Sequence, residues 1–257
     1  MGIGLQFLMQ KIKTKISKAS IYQFEHFFHL SSLNENFSSS YSDKNQLKLV
    51  TNILKKDSIK SIDITHFSSP PSIIPSKYYD KSLKAKYLET NTKMSGSIGR
   101  DISNDKKMTI VYSKNENLSQ ILNNNDKKIY HTNHFTQLYN YLIGQLNNSD
   151  EFSFFINLSD TSFEIIVFNN NKFVFFNSFN INDENEFLYY TFFVLKNYNG
   201  SIKSNKIIFL GKYEIFDKFY DLVSKYSKID FIEENINSLV SYESQSFSIL
   251  NENNIRK

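Results

Sequence analysis

Apolar positions are most regularly spaced between residues 152 and 232, where runs of strand length alternate with segments of helical periodicity. Three apolar runs, at 152–158, 162–168 and 172–179, predict an antiparallel meander. Three asparagines at 169–171 separate the second run from the third, and Asn tolerates the left-handed backbone of a tight turn. This meander is the best-defined element that the chain predicts.

A capped helix is predicted directly after the meander. Asp183 and Glu186 have the spacing of a capping box, and apolar residues recur at helical spacing through residues 187–198. Gly200 then ends the helix. Three further elements complete this half: a strand at 207–210 whose continuous apolar run suits burial on both faces, a helix at 213–226, and a strand at 229–232. The predicted order is β-β-β-α-β-α-β.

The first half of the chain gives weaker patterns. Asp43 is a candidate N-cap for a helix whose apolar positions recur every three or four residues up to residue 54. Residues 33–41 and 91–106 are rich in Ser, Asn and Gly, and they predict loops. The other predicted elements are strands at 11–16, 59–64, 108–112 and 128–131, β structure at 20–30, and helices at 77–88, 115–122 and 133–146.

Charge divides the chain into two dissimilar halves. The polar run at 147–150 is the expected boundary between a basic lobe, 1–148, and an acidic lobe, 149–257. The first has 20 Lys and Arg against 11 Asp and Glu, a net charge of +9, and the second has 10 against 15, a net charge of −5. The basic half could meet the acidic half or an acidic partner, or its lysines could reflect AT-rich coding and cover a solvated face.

Composition excludes several classes of protein. The chain has no cysteine, so disulfides, thiolate nucleophiles and thiolate metal sites are excluded. The apolar segment 2–9 is too short for a secretory signal, and Met9 is an alternative start to Met1. No stretch reaches the roughly 18 apolar residues of a membrane helix. We therefore expect a cytoplasmic protein that does not bind membranes.

The predicted succession of strands and helices is that of the ribonuclease H-like fold, which occurs twice in proteins of the actin, Hsp70 and hexokinase group. Residues 154–178 resemble the second phosphate-loop hairpin of its cell-division and pilus-assembly members. More closely, four segments resemble the uncharacterised Bacteroidetes domain-of-unknown-function family 3822: 67–75 with the helix after it, 177–195, 207–211 and 246–250. The resemblance implies an α/β protein with two ribonuclease H-like lobes, each a mixed five-stranded sheet with helices, in a degenerate actin-like ATPase fold.

The same resemblance implies where a nucleotide would bind. Active members use an Asp to organise Mg²⁺ or water, glycines that let backbone N–H groups approach phosphate, and a Ser or Thr for a terminal oxygen. In this chain Asn157 stands at the position of the Asp and Ser159 at that of the first glycine. Asn157 has no charge to hold a divalent cation. The phosphate loop therefore looks degenerate.

The remaining positions of the implied site are also altered. Asp160 could replace the missing carboxylate, with Thr161 and Ser162 beside it, but Asp is ordinary in a turn. The adenosine-side loop, normally Gly-Gly, is Gly211-Lys212 here. The resemblance thus implies a pseudo-ATPase without cofactor, and the sequence supplies no other catalytic signature.

Two pairs of histidines and one Gly-x-x-Gly segment are further candidate sites. His26 with His29 and His131 with His134 could supply four nitrogens to a metal. A spacing of three in a strand puts two side chains on opposite faces, and no carboxylate ligand is identifiable, so we expect no metal. Residues 96–100 vaguely resemble a nucleic-acid clamp, but they lack its helical setting, and we expect a flexible loop.

These observations predict a non-catalytic macromolecular interaction module whose partner is another protein. One alternative is a nucleic-acid or ribosome-associated accessory factor that uses the basic lobe, with contacts from Lys11, Lys13, Lys15 and Lys18. Another is a weak nucleotide-binding ATPase with rearranged ligands. Nucleotide titration separates the first prediction from the last, and the salt dependence of RNA binding tests the accessory factor.

Overall fold

The structure is a computed structural model of the 257-residue chain. It describes residues 17–32, 35–67, 70–90, 96–146, 152–159, 161–198 and 200–232. Its contacts divide the chain into two units, 1–136 and 137–257. The predicted strand at 11–16 and the predicted boundary at 148 and 149 fall outside the described residues and stay predictions.

The first unit begins with an antiparallel meander. It consists of β1 (Ser17–Gln23), β2 (Phe27–Ser31) and β3 (Asn36–Ser40). Helix α1 (Lys44–Leu54) follows, and the side chain of Asp43 caps it by accepting hydrogen bonds from two backbone N–H groups. The buried face of this helix includes Val50 and Ile53. The next element is β4 (Ile59–His66), which pairs in parallel with β1. The predicted helix and its cap are confirmed here.

An insertion follows β4 before the sheet resumes. It contains β5 (Ser72–Pro75), α2 (Lys84–Glu89), β6 (Ile98–Ile102), β7 (Met108–Ser113) and α3 (Ser119–Asn123). The three strands form a separate antiparallel sheet in the order β5-β7-β6. β8 (Lys128–Asn133) then pairs in parallel with β4, and α4 (His134–Ile143) follows it. The main sheet of this unit has the order β3-β2-β1-β4-β8.

The second unit repeats this plan without an insertion. Its elements are β9 (Phe152–Leu158), β10 (Ser162–Asn169), β11 (Lys172–Asn180), α5 (Glu184–Asn197), β12 (Lys206–Leu210), α6 (Asp217–Ser224) and β13 (Lys228–Ile232). The sheet order is β11-β10-β9-β12-β13, with β12 and β13 parallel to β9. Both units therefore contain a mixed five-stranded sheet with helices, as the fold prediction states.

The asparagine turn and the Asp183 N-cap of the second unit form as predicted, whereas the second half of the capping box does not. Asn170 and Asn171 have φ of 48° and 56°, which closes the β10–β11 turn in the left-handed region. Asp183 Oδ1 accepts from the Glu186 N–H at 2.8 Å and caps α5. The carboxylate of Glu186 accepts from the Asn182 side chain instead of completing the capping box.

Aromatic packing fills the core of the second unit. The Phe163 ring lies 5.3 Å from that of Phe179 and 4.8 Å from that of Phe187, between centroids. Phe187 also meets Phe219 of α6, and Phe209 of β12 meets Tyr220 of α6. Edge-to-face and offset pairs of this kind contribute about 1 kcal/mol each beyond their buried area.

Three predictions for the first half are wrong. The predicted loop at 33–41 contains β3, and the predicted loop at 91–106 contains β6. β3 is rich in serine, and β6 contains a glycine and two charged residues. Each is held by pairing with a neighbouring strand that local propensity does not reveal. The predicted helix at 77–88 is instead two 3₁₀ turns followed by the short helix α2.

Candidate functional site

The β9–β10 hairpin, where the phosphate loop is expected, is closed by its own serines. The Ser159 backbone N–H donates to the Ser162 carbonyl at 2.8 Å, and the Ser162 N–H donates to Ser159 Oγ at 3.2 Å. The two hydroxyls lie 2.7 Å apart. A phosphate cradle needs free N–H groups, and these two are already used. Asp160 lies outside the described residues.

Asn157 is paired across the hairpin with a carboxylate. Its Nδ2 donates to Glu164 Oε2 at 2.8 Å, and the two residues are direct cross-strand neighbours. A carboxylate at this point repels phosphate oxygens and disfavours a second carboxylate at position 157. The carbonyl of Thr161 accepts from the Ile181 N–H at 2.8 Å, which ties the hairpin tip to the end of β11.

Tyrosine side chains pack against the turn where the resemblance leads us to expect the adenosine loop. Gly211 has φ of 84°, and a Cβ there would lie 2.3 Å from Cε2 of Tyr213. The Tyr220 hydroxyl donates to the Gly211 carbonyl at 3.2 Å, and burial raises the pKa of Tyr220 to about 12. Lys212 is exposed, with its ammonium 5.4 Å from the centre of the Phe231 ring. The glycine therefore accommodates a tyrosine ring within the unit.

A cavity of about 590 Å³ lies between the starts of α5 and α6. Asp183 and Glu184 line it together with Lys218, whose Nζ lies 3.9 Å from Glu184 Oε1. Two carboxylates against one lysine make the cavity unsuitable for a triphosphate.

Only one of the four lysines proposed for nucleic-acid contact is described. Lys18 Nζ forms an ion pair of 2.7 Å with Asp63 Oδ2, and their side chains are 14% and 23% exposed. Neutralising a phosphate with Lys18 would break this pair. Lys11, Lys13 and Lys15 lie outside the described residues.

A hydrogen-bonded histidine pair in the first unit, of which His66 is buried and His131 partly buried, is not predicted by the sequence. The Asn115 N–H donates to His66 Nδ1 at 3.1 Å, so the neutral imidazole has its proton on Nε2. That Nε2 lies 3.0 Å from His131 Nδ1 and donates to it, with the rings stacked at 5.3 Å. Burial lowers the pKa of His66 to about 3 and that of His131 to about 4. The pair is therefore neutral at physiological pH.

Asp101 joins the inserted sheet to the main sheet. Its Oδ2 accepts from Thr132 Oγ1 at 2.9 Å, the Asn133 N–H at 2.8 Å and Thr136 Oγ1 at 2.7 Å. Its Oδ1 accepts from the Tyr112 hydroxyl at 3.2 Å. Burial raises the pKa of Asp101 and four hydrogen bonds oppose that effect. Because the donors come from β7, β8 and α4, no local sequence signal marks this residue.

Gly99, from the Gly-x-x-Gly segment, makes room for the hydrogen bond between Tyr112 and Asp101. A Cβ at Gly99 would lie 2.3 Å from Cζ of Tyr112, so the glycine makes room for the ring whose hydroxyl reaches Asp101. The neighbouring Arg100 guanidinium lies 5.3 Å from the centre of the Tyr79 ring. The predicted flexible loop is here a strand with a packing role.

The four histidines that are candidate metal ligands do not lie together. His26 is exposed at a turn, whereas His29 is buried against Tyr22 at 5.9 Å between ring centroids. His131 pairs with His66, and His134 stacks on Phe67 at 4.3 Å. Within the described ranges, no group of three or more His, Asp or Glu side chains could hold a metal ion.

Comparison with solved structures identifies the fold. A Bacteroides thetaiotaomicron protein described as having an actin-like ATPase fold and unknown function superimposes with a TM-score of 0.69 at 16% identity, covering 87% of this chain and 94% of the other. A chain of the PilM–PilN type IV pilus biogenesis complex superimposes with a TM-score of 0.51 at 8% identity, covering 84% and 88%. At these identities the likeness shows an actin-like fold, as the sequence predicts.

The family model described as "Protein of unknown function (DUF3822)" matches residues 7–229. This agrees with the resemblance found in the sequence. No curated protein matches the chain. Among the residues that the structure describes, none of the helices combines the length and apolar character needed to span a bilayer.

Proposed function

Since this chain belongs to the DUF3822 family, we propose that it is a non-catalytic protein of the actin-like fold that acts by binding another protein. The observation that carries the proposal is the hairpin closed between Ser159 and Ser162, whose N–H groups are consumed by internal hydrogen bonds. A pseudo-ATPase retains the framework of the fold but not the groups that bind phosphate.

Two further observations support the proposal. The Asn157–Glu164 pair places a carboxylate where a phosphate would approach, and tyrosines occupy the space next to Gly211. A chain of the same fold is found in the PilM–PilN complex, so this fold occurs in protein assemblies. That analogy rests on the fold alone.

Calorimetric titration of the full chain with Mg-ATP and Mg-ADP tests the proposal. We expect no heat of binding and no change in melting temperature at millimolar nucleotide. Micromolar binding that is lost in Asp160→Ala would overturn the proposal in favour of rearranged ligands. Asp126→Ala, at an aspartate that is 87% exposed in the first unit, is the matched control.

The nucleic-acid alternative is favoured by the net charge of +9 in residues 1–148. Fluorescence anisotropy with single-stranded RNA should then show an affinity that falls steeply with salt, because contacts to phosphate release counterions. Replacing Lys11, Lys13 and Lys15 together with serine should reduce the salt slope by about 2 for single-stranded RNA. An unchanged slope would remove this surface from consideration.

A further inference from the structure

Helix α5 is apolar on two sides. Phe187, Val194 and Leu195 are buried in the core of the second unit, as the sequence predicts for one face of the helix. On the other side Tyr189 is 60% exposed and Phe193 is 50% exposed. A surface helix usually turns charged and polar residues to solvent, and an apolar second face indicates a further contact.

The exposed side of α5 forms one wall of a groove of about 650 Å³. Leu188, Tyr189 and Phe193 line it from the helix, and Ile202, which is 37% exposed, lines it from the following turn. The rings of Tyr189 and Phe193 stack at 5.6 Å, with 21° between their planes. They therefore form a continuous apolar wall.

The apolar surface extends beyond the groove. Phe192, also in the lining, contacts the ring of Tyr226 at 5.8 Å, and Tyr226 is 57% exposed. Four exposed large apolar side chains thus lie on or next to one helix face: Tyr189, Phe193, Ile202 and Tyr226. A cluster of aromatic side chains of this kind is typical of the centre of a protein-binding surface.

The charge at the groove is opposite to that of the half in which it lies. Lys196 and Lys203 line the groove, and no carboxylate does so among the described residues. Neither lysine forms an ion pair with a carboxylate in the described part of the chain. Residues 149–257 as a whole have a net charge of −5. Two unpaired cations beside an apolar wall are complementary to a segment that has both apolar and acidic residues.

We propose that this groove binds an acidic segment of a partner protein, which places large apolar side chains against Tyr189 and Phe193 and carboxylates opposite Lys196 and Lys203. The inference rests on the proposed function and specifies its surface and the chemistry of its partner. It does not involve the Ser159–Ser162 hairpin.

Site-specific photocrosslinking tests the occupant. The photoreactive residue p-benzoylphenylalanine replaces Phe193 in the full chain. The cells that make this variant are irradiated, and the cross-linked peptide is then sequenced by mass spectrometry. The matched control carries the same group at position 215, because Ile215 is 59% exposed and lines the cavity that contains Asp183 and Glu184. Both positions lie in the second unit and are similarly exposed, Phe193 at 50% and Ile215 at 59%. They therefore differ mainly in the chemistry of the surrounding surface.

The expected result is a single partner at position 193 and not at position 215, joined through a segment with net negative charge and at least two large apolar residues. Four results would overturn the proposal: no adduct at position 193, an adduct with residues 233–257 of the same chain, an adduct with a second copy, or a partner segment without acidic residues.

A synthetic peptide of the cross-linked segment then measures the contribution of each part of the groove. Phe193→Ser should weaken binding by about 10-fold or more, as expected for an aromatic residue at the centre of an interface. Lys196→Glu combined with Lys203→Glu should weaken it by about 10-fold at low salt and by less as salt rises. Lys212→Glu, at the opposite end of β12, should leave affinity unchanged.

The outcomes separate this inference from the proposed function. If Mg-ATP does not bind and position 193 gives no adduct, the non-catalytic function stands and this surface is wrong. If Mg-ATP binds tightly and position 193 still captures an acidic segment, the groove stands and the pseudo-ATPase proposal is wrong. Equal loss of peptide affinity in Lys212→Glu and in the Lys196, Lys203 double variant would also contradict the groove.

Discussion

The two units have the same strand order but differ in the groups near the carboxyl ends of their parallel strands. In the first unit these are polar side chains: His66 with His131, and Asp101 with four hydrogen-bond donors. In the second unit a serine-closed hairpin and the tyrosines 213 and 220 take their place. All five histidines of the chain lie in the first unit. One topology is thus completed by a buried polar network in one unit and by aromatic packing in the other.

This difference predicts which changes reduce the stability of each unit. A buried polar network depends on every partner being present, because an unpaired buried donor has a high desolvation cost. Aromatic packing loses stability in proportion to the volume that is removed. We therefore expect removal of a single polar group and acidification to destabilise the first unit, and changes at the hairpin to affect the second unit weakly.

The largest effect should come from Asp101→Ala. The change leaves Tyr112, Thr132, Thr136 and the Asn133 N–H without their common acceptor, and we expect a loss of about 3 kcal/mol in the free energy of unfolding. Urea denaturation measures it. Asp126→Ala, at a side chain that is 87% exposed, should change stability by less than about 0.5 kcal/mol. A loss below 1 kcal/mol in Asp101→Ala would mean that the polar network does not hold the insertion in place.

Acid should destabilise the first unit next most strongly. Burial lowers the pKa of His66 from its ordinary 6.5 to about 3, so the unfolded chain binds a proton more readily than the folded one. The stabilisation is complete above about pH 6.5 and is lost as pH falls toward the folded pKa. At pH 5 the loss for His66 alone amounts to about 2 kcal/mol.

Melting temperatures measured from pH 7 to pH 4.5 check this expectation. His66→Gln should flatten the pH dependence, although His29 and His131, whose pKa values are also lowered to about 4, keep part of it. His26→Gln, at an exposed turn, is the control and should keep the wild-type slope. An identical slope in His66→Gln and wild type would contradict the assignment.

A smaller effect is expected from Asn157→Asp in the second unit. The new carboxylate faces Glu164, whose Oε2 now accepts from Asn157 at 2.8 Å, so we expect a loss of about 1 kcal/mol. Thermal unfolding measures it, and calorimetry should still show no binding of Mg-ATP. Adding Glu164→Gln should recover the lost stability, because it removes the repulsion. Nucleotide binding by the single variant would mean that only one charge separates this hairpin from an active phosphate loop.

The smallest effect concerns the β10–β11 turn. Asn170→Ala places an ordinary side chain at φ of 48°, and we expect a loss of about 0.5–1 kcal/mol in the free energy of unfolding. Asn170→Gly is the matched control, because glycine adopts this conformation without strain. A neutral Asn170→Ala would show that the strand pairing, and not the turn residue, fixes this hairpin.

The second unit was predictable because its signals are local. Alternating apolar runs, the asparagine turn and the Asp183 cap each act over fewer than ten residues, and the observed strands and α5 fall within a few residues of the predicted limits. In the first unit β3 and β6 are missed, since pairing with β2 and β7 holds strands whose own residues suggest loops. The predicted helix at 77–88 begins instead with 3₁₀ turns, the second capped by the Asp80 side chain.

At the candidate site, too, the sequence shows some features and only the structure shows others. The missing carboxylate at Asn157 and the missing glycine at Ser159 are visible in the sequence, once the resemblance places them in a phosphate loop. Their partners are not visible. Glu164 is joined to Asn157, and Ser162 to Ser159, by a strand register that only the folded sheet establishes.

The sequence by itself predicted the α/β class and the succession of strands and helices in the second unit. These follow from periodicity, which is a property of short segments. The degenerate phosphate loop is instead what the family resemblance implies, through Asn157 and Ser159. Only the tertiary structure decided which polar groups meet. Residue 101 reaches residues 132–136, and residue 66 reaches residues 115 and 131, through hydrogen bonds between elements far apart in the chain. Such contacts depend on the packing of whole sheets, and no local pattern encodes them.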